Sequence, residues 1–227
     1  MSRPNQSRNT AGAQQQQQAP KPTSNTPAQQ GGSSGNSGTT MKRKVLIMGS
    51  RSVGKSSLAS QFVEPNSFNE SYYPTIESTH TKTIKHEGIT YDCEIIDTAG
   101  QDEYSLFNHK YAVGIHGYIL VYSIASRQSF EMIQTLHDKI LDFQGVDKVC
   151  CVVVGQKCDL NGVRQVKFEE GQALAKKLHA NFIETSAKDN KNITDVFDLL
   201  MVEMRKSFNP PPEKKKQGWF ASWFGGA

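Results

Sequence analysis

The first 40 residues contain no Leu, Ile, Val, Phe, Tyr or Trp, and no acid. A segment with so little to bury cannot offset the entropy of ordering it. Residues 1–40, with glutamines at 14–18 and a Ser/Gly-rich run at 31–38, are therefore expected to form a disordered polar extension. No stretch approaches ~18 consecutive apolar residues, which excludes a membrane-spanning helix. The N-terminus lacks the apolar core of a signal peptide, and Ser2 is not the glycine that myristoylation needs. Cysteine is scarce. Cys93, Cys150, Cys151 and Cys158 do not stand at zinc-ligand spacing, and they read as reduced core residues. No cysteine follows Cys158, which predicts a chain not prenylated at its C-terminus.

The body of the chain also lacks the positive charge that its composition suggests. The whole 227-residue chain is +4. Arg3, Arg8 and Lys21 give the first 40 residues +3, and five Lys/Arg against Glu213 give the tail from Arg205 +4. The remainder is 4 − 3 − 4 = −3. A mildly acidic body argues against nucleic-acid binding.

What is present is a strand–helix alternation. Residues 45–48 read as a buried strand, and 55–63 as a helix stopped by Pro65. Residues 79–85 and 90–97 alternate around His86-Glu87-Gly88, a hairpin signal. Strands at 117–123, 148–155 and 181–184 alternate with helices at 126–144, 168–179 and 193–208. Ser126 is the expected cap and Gly145 the expected stop of the first of these helices. The pattern predicts a three-layer α/β domain at 41–208 with a six-stranded, mainly parallel sheet. It is flanked by the 1–40 extension and a disordered basic-aromatic tail at 209–227.

Gly49-Ser50-Arg51-Ser52-Val53-Gly54-Lys55-Ser56 fits G-x-x-x-x-G-K-[ST], directly after a strand and at the start of a helix. Glycines let the backbone wrap phosphates, while N–H groups at the helix N-terminus favour an anion. Lys55 is suited to the β- and γ-phosphates and the Ser56 hydroxyl to Mg²⁺. Asp97-Thr98-Ala99-Gly100-Gln101 ends the third strand. There Asp97 is placed to hold Mg²⁺ through water, Gly100 to offer its N–H to a γ-phosphate, and Gln101 to orient an attacking water.

With Tyr72-Tyr73-Pro74-Thr75, Gln156-Lys157-Cys158-Asp159 and Thr185-Ser186-Ala187-Lys188, these motifs stand in one order along about residues 42–205. In that order the chain resembles the Ras-like small GTPases. Arg51 within SRSVGKSS, Gln61-Phe62-Val63-Glu64, PTIES at Pro74, DTAGQDEYS at Asp97 and GYILVYS at Gly117 resemble their Rheb subfamily.

The resemblance implies a P-loop domain that binds GTP and GDP with Mg²⁺ and hydrolyses GTP. It makes Gly49, Arg51, Ser52, Val53, Gly54, Lys55, Ser56 and Ser57 phosphate contacts. Ser56 and Thr75 become Mg²⁺ ligands, with Tyr72 closing over the phosphates and acting beside Gln101 in catalysis. Phe68 would pack on the guanine edge, Lys157 over its face, and Asp159 would accept from its N–H groups. The Ala187 N–H would meet the guanine carbonyl, supported by Ser186 and Lys188. The implied partners are a GTPase-activating protein and, as effector, the target-of-rapamycin kinase complex in growth control. The implied state is a monomer.

Three positions depart from the family pattern. Gln156 stands where Asn is usual, which predicts faster nucleotide exchange. Arg51 replaces the glycine of Ras, as it does in Rheb proteins, which predicts slow intrinsic hydrolysis. Tyr73 replaces an acid before Pro74. The tail departs too, placing Lys214, Lys215 and Lys216 before Trp219, Phe220, Trp223 and Phe224 where relatives carry a lipid. Aromatics on one helical face beside lysines suit an anionic membrane interface, the alternatives being a partner-binding peptide and an inert terminus. The expected location is cytoplasmic, peripheral on the cytoplasmic face of endomembranes. An interaction module that binds nucleotide with little or no hydrolysis is the alternative from another class. A P-loop ATPase or kinase is a third, which Asp159 and the Ser186-Ala187-Lys188 motif argue against.

Overall fold

The computed structural model describes residues 40–71, 74–100 and 113–208. In chain order these form β1 (Thr40–Met48), α1 (Lys55–Val63), β2 (Glu77–His86), β3 (Ile89–Thr98), β4 (Gly117–Ser123), α2 (Arg127–Gln144), β5 (Cys151–Gln156), a 3₁₀ turn (Cys158–Val163), α3 (Phe168–Lys177), β6 (Asn181–Thr185) and α4 (Ile193–Phe208). One six-stranded sheet runs β2-β3-β1-β4-β5-β6. Only β2 and β3 pair antiparallel, across the hairpin whose tip, Glu87-Gly88, takes positive φ at both residues.

Apolar side chains line both faces of the central strands, so a core lies on each side. On one face, Val45, Ile47 and Val121 pack with Leu58 and Phe62 of α1 and with Phe197 and Leu200 of α4. On the other, Leu46, Leu120 and Tyr122 pack with Ile133, Leu136 and Ile140 of α2. All seven residues of β4 and all six of β5 are buried, as continuous apolar strands under two helical layers must be. Where α3 crosses the sheet, only glycine fits at position 171. A Cβ there would lie 2.4 Å from both the Tyr122 hydroxyl and the Phe182 ring. Such overpacking would cost about 1–3 kcal/mol, enough to cancel or exceed the ~1 kcal/mol that alanine gains in helix propensity.

The ends of α2 follow the expected chemistry. The Ser126 hydroxyl accepts from Ser129 N–H at 3.3 Å, and Gly145 closes the helix at φ 64°. Other boundaries differ. β1 begins at Thr40 rather than 45, because its polar first half pairs with β3 in register from Thr40↔Thr90. Thr40 thus belongs to the sheet, not to the extension. β5 begins at Cys151 rather than 148, where its ladder with β4 starts at Tyr118↔Cys151. α3 stops at Lys177, and His179 turns the chain with φ 54°. The cysteines are free, and burial pushes the Cys93 and Cys151 thiols up to about 12, so both are inert. Among the described residues no helix is long and apolar enough to cross a membrane.

Strand order reverses direction about β1, whose neighbours are β3 and β4. The carboxyl ends of β1, β3, β5 and β6 therefore open on one edge, at the position where α/β sheets bind ligands.

Candidate functional site

The loop leaving β1 is shaped by close approach. Gly49 has φ 152°, and a Cβ there would stand 2.0 Å from the Val121 carbonyl oxygen. Gly54 takes φ 101° as the residue capping α1. No side chain caps α1, and its first turn carries no acid. Its N-terminal N–H groups and dipole therefore face the crevice as an anion site.

Lys55 lies under this loop, only 6% exposed. Its Nζ donates to the carbonyls of Gly49 at 3.1 Å and Ser50 at 2.9 Å. Burial lowers its pKa to about 8, against the opposing charge of Asp97. Asp97, fully buried at the end of β3, makes no hydrogen bond with either carboxylate oxygen among the described residues. Burial pushes its pKa up, while the nearby Ser56 hydroxyl, Lys55 and His80 pull it down. The Ser56 hydroxyl instead meets the Thr75 hydroxyl at 2.7 Å. Two hydroxyls and an unpartnered carboxylate are all hard oxygen donors.

One cavity of about 830 Å³ runs along this edge, lined by Arg51, Lys55, Phe68, Thr75, Gly100 and Lys157 among others. It brings together the phosphate loop, the end of β3 and the loop after β5. Gly100 passes so close to the phosphate loop that a Cβ there would lie 2.3 Å from Arg51 Cγ. Val53 is buried, and Ser52 has φ 59°. Ser57 lines the same cavity.

The far end is a web of polar bonds. Gln156, 1% exposed, accepts from the Thr185 hydroxyl at 2.8 Å and from Lys157 N–H at 3.0 Å. Its Nε2 reaches the Gly54 carbonyl only at 3.5 Å, a slack contact. Lys157 sits at φ 66° and donates from Nζ to the Ser52 carbonyl at 2.7 Å. Asp159 accepts from the Ser186 hydroxyl at 2.6 Å, and Ser186 accepts from Asp189 N–H at 3.1 Å. Lys188 pairs with Glu70 at 3.0 Å.

Some of the residues singled out from the sequence fall elsewhere. Tyr72, Tyr73 and Gln101 lie outside the described residues, as do Lys214, Lys215, Lys216, Trp219, Phe220, Trp223 and Phe224. Other site residues carried no role in the sequence reading. Gln61, Thr185 and Glu70 each hold part of the far end. Gln61 had a sequence signal, being a polar residue on the apolar stripe of α1 between Leu58 and Phe62. Thr185 stood in the Thr185-Ser186-Ala187-Lys188 motif without a role of its own and Glu70 had no signal, because their partners are distant in the chain.

The Ras family model matches residues 44–206. The chain is 52% identical over 176 residues to the GTP-binding protein rhb1 of Schizosaccharomyces pombe, covering 78% of this chain and 95% of that one. It is 54% identical over 170 residues to the small monomeric GTPase RhbA of Aspergillus fumigatus, covering 74% and 90%. It is 50% identical over 164 residues to the GTP-binding protein Rheb of Homo sapiens, covering 72% and 89%.

The buried lysine makes anion affinity depend on pH. An anion beside Lys55 favours its charged form and raises a pKa that stands near 8 without it. Affinity for a guanine nucleotide is then greatest below pH 8 and weakens as pH rises above 8, with up to one proton taken up per nucleotide. Calorimetry at pH 9 in two buffers of different ionisation enthalpy reads this uptake directly. No buffer dependence, or tighter binding at pH 9 than at pH 7, would contradict it.

Proposed function

The chain belongs to the Ras family and is a Rheb-like small GTPase that binds GTP and GDP and hydrolyses GTP; on that premise we propose that it works as a slow, Mg²⁺-dependent switch whose nucleotide lies along the carboxyl edge of the sheet. The observation that carries this is the single cavity joining Lys55 and the α1 N-terminus at one end to Lys157 at the other. A polyphosphate has its anion site there, and a base has its stacking stem. Asp159, oriented by Ser186, supplies an acceptor pair for the two guanine N–H groups, which adenine does not present. The Ala187 N–H faces the guanine 6-oxygen, and Phe68 packs on the base edge.

The residues fit Mg²⁺. Adjacent ligands of an octahedral ion at ~2.0–2.1 Å are about 2.9 Å apart, close to the 2.7 Å between the Ser56 and Thr75 hydroxyls. The orphaned Asp97 carboxylate is the buried anion such a site needs, acting through water. When bound, the ion neutralises the β- and γ-phosphate oxygens. Lys55 would exchange its loop carbonyls for those phosphates and Gly100 would offer its N–H to the γ-phosphate, with Tyr72 assigned to close over the phosphates and Gln101 to orient the attacking water. Thr75 and Gly100 respond to the γ-phosphate, so their loops change when it leaves.

Arg51 packs beside Gly100, where a bulky side chain crowds the reacting phosphate. Hydrolysis is therefore slow and depends on an activating protein. The resemblance to Rheb proteins supplies the pathway reading, namely action on the target-of-rapamycin kinase complex. Chromatography of the nucleotide released from purified protein, followed by single-turnover hydrolysis, tests the whole reading. Bound GDP with slow turnover is expected, and an empty site or bound ATP overturns it. Arg51→Gly should speed turnover about tenfold, a barrier change of ~1.4 kcal/mol; unchanged turnover refutes the role of Arg51.

Gln156 makes exchange faster than an asparagine would, because its amide reaches the phosphate loop only at 3.5 Å. Gln156→Asn is expected to slow GDP release about 5–30-fold, the worth of one buried hydrogen bond. Equal rates would count against this.

The tail, with three lysines followed by two Trp-Phe pairs, acts as a weak, reversible anchor to anionic membranes on the cytoplasmic side. Sedimentation with phosphatidylserine vesicles should recover the wild type and lose the Trp219→Ala, Trp223→Ala double variant. Equal recovery removes the anchor from the reading.

A further inference from the structure

α1 carries one polar side chain whose bonds leave the helix for both walls of the base site. Gln61 is 3% exposed, between Leu58 and Phe62. Its Nε2 donates to the Ala187 carbonyl at 2.6 Å, across 126 positions of sequence. Its Oε1 accepts from the Ser67 N–H at 3.1 Å, a proton shared with the Glu64 carbonyl at 3.2 Å. One partner is an acceptor and the other a donor, so the amide has one satisfactory orientation; reversing it would face amide against N–H and oxygen against oxygen. Ser67 immediately precedes Phe68, and Ala187 is 4% exposed in the loop that Ser186 and Lys188 flank. A second tie joins the same two segments on their outer side, where Lys188 meets Glu70 at 3.0 Å. That pair is solvent-exposed and weak, whereas the amide of Gln61 is enclosed.

We propose that Gln61 is a nucleotide-retention residue. It is a positioning side chain whose amide holds the Ala187 carbonyl, so placing the N–H of the same residue for the guanine 6-oxygen, and links that loop to the segment carrying Phe68. This rests on the guanine-nucleotide reading above. The geometry gives it a mechanical sense. The helix that starts at Lys55 and Ser56 under the phosphates holds the base loop from a point six residues on, ~9 Å along its axis. Phosphate loop and base loop are thus fastened to one rigid rod. Release of nucleotide requires the Ala187 loop to part from it.

The test compares release of GDP with release of 2-aminopurine riboside 5′-diphosphate, which lacks the 6-oxygen, from the full-length protein. Gln61→Glu keeps an acceptor for Ser67 N–H and, in its ionised form, has no proton for the Ala187 carbonyl. GDP release is expected to accelerate about 5–30-fold, with the analogue changed less than about twofold. Equal acceleration of both ligands would show general loosening and overturn the proposal, as would no acceleration of either. Wild-type protein that retains no GDP would instead overturn the GTPase reading beneath it. If circular dichroism shows Gln61→Glu unfolded, Gln61→Met removes both bonds without adding charge. A GDP acceleration exceeding the analogue's by about fivefold or more then supports the proposal, and a smaller ratio overturns it.

Discussion

A lysine that points its ammonium at its own loop organises this molecule. Lys55 Nζ holds the carbonyls of Gly49 and Ser50, closing the chain between β1 and α1 into a ring. This leaves the nearby Asp97 carboxylate without a hydrogen-bond partner. Burial disfavours the charged forms of both groups, lowering the pKa of Lys55 and raising that of Asp97. On the proposed reading, a polyphosphate would give the ammonium an anion and a divalent ion would give the carboxylate a cation.

The sheet is built to hold those groups still. β1 and β3 run parallel in unbroken register from Thr40↔Thr90 to Ile47↔Asp97, so the loop after β1 and the acid ending β3 are delivered side by side. The Thr98 hydroxyl then donates to the Ile47 carbonyl at 2.8 Å, pinning the strand end. With a core on both faces, neither strand can slide without moving α1, α2 and α4 together. Rigid strands carrying responsive loops at their carboxyl ends are what a switch needs.

Much of this was legible in the chain because the signals were local. The phosphate-loop spacing, the apolar run of β4, and the serine and glycine bounding α2 are each written within a few residues. The boundaries that differed depend on a partner strand. The first half of β1, Thr40 to Lys44, is polar and reads as linker, yet β3 recruits it as a ladder. β5 loses its first three residues because the pairing with β4 starts later than the apolar run. The same holds in the site. The phosphate end is one contiguous segment, but the base end is assembled from pairs far apart, such as Gln156 with Thr185 and Gln61 with Ala187. No spacing rule reaches across 29 or 126 positions.

Gln156 shows how a departure from a family pattern is absorbed. Compared with asparagine it carries one extra methylene, Cγ. That atom stands in the space that the missing side chain of Gly54 leaves, since a Cβ on Gly54 would lie 2.9 Å from it. Gly54 therefore serves twice, once for its left-handed φ of 101° and once for this clearance. The amide beyond the extra methylene still finds a donor in Thr185 and another in its own neighbour's N–H, so its oxygen is satisfied. Only the bond to the phosphate loop is stretched. The added length is thus accommodated in packing and in buried hydrogen bonding, and its cost falls on the coupling between the base end and the phosphate end. Thr185 keeps the Gln156 amide satisfied within the fold, while the ties between the loops are made by Lys157, which donates to the Ser52 carbonyl, and by Gln61, which donates to the Ala187 carbonyl.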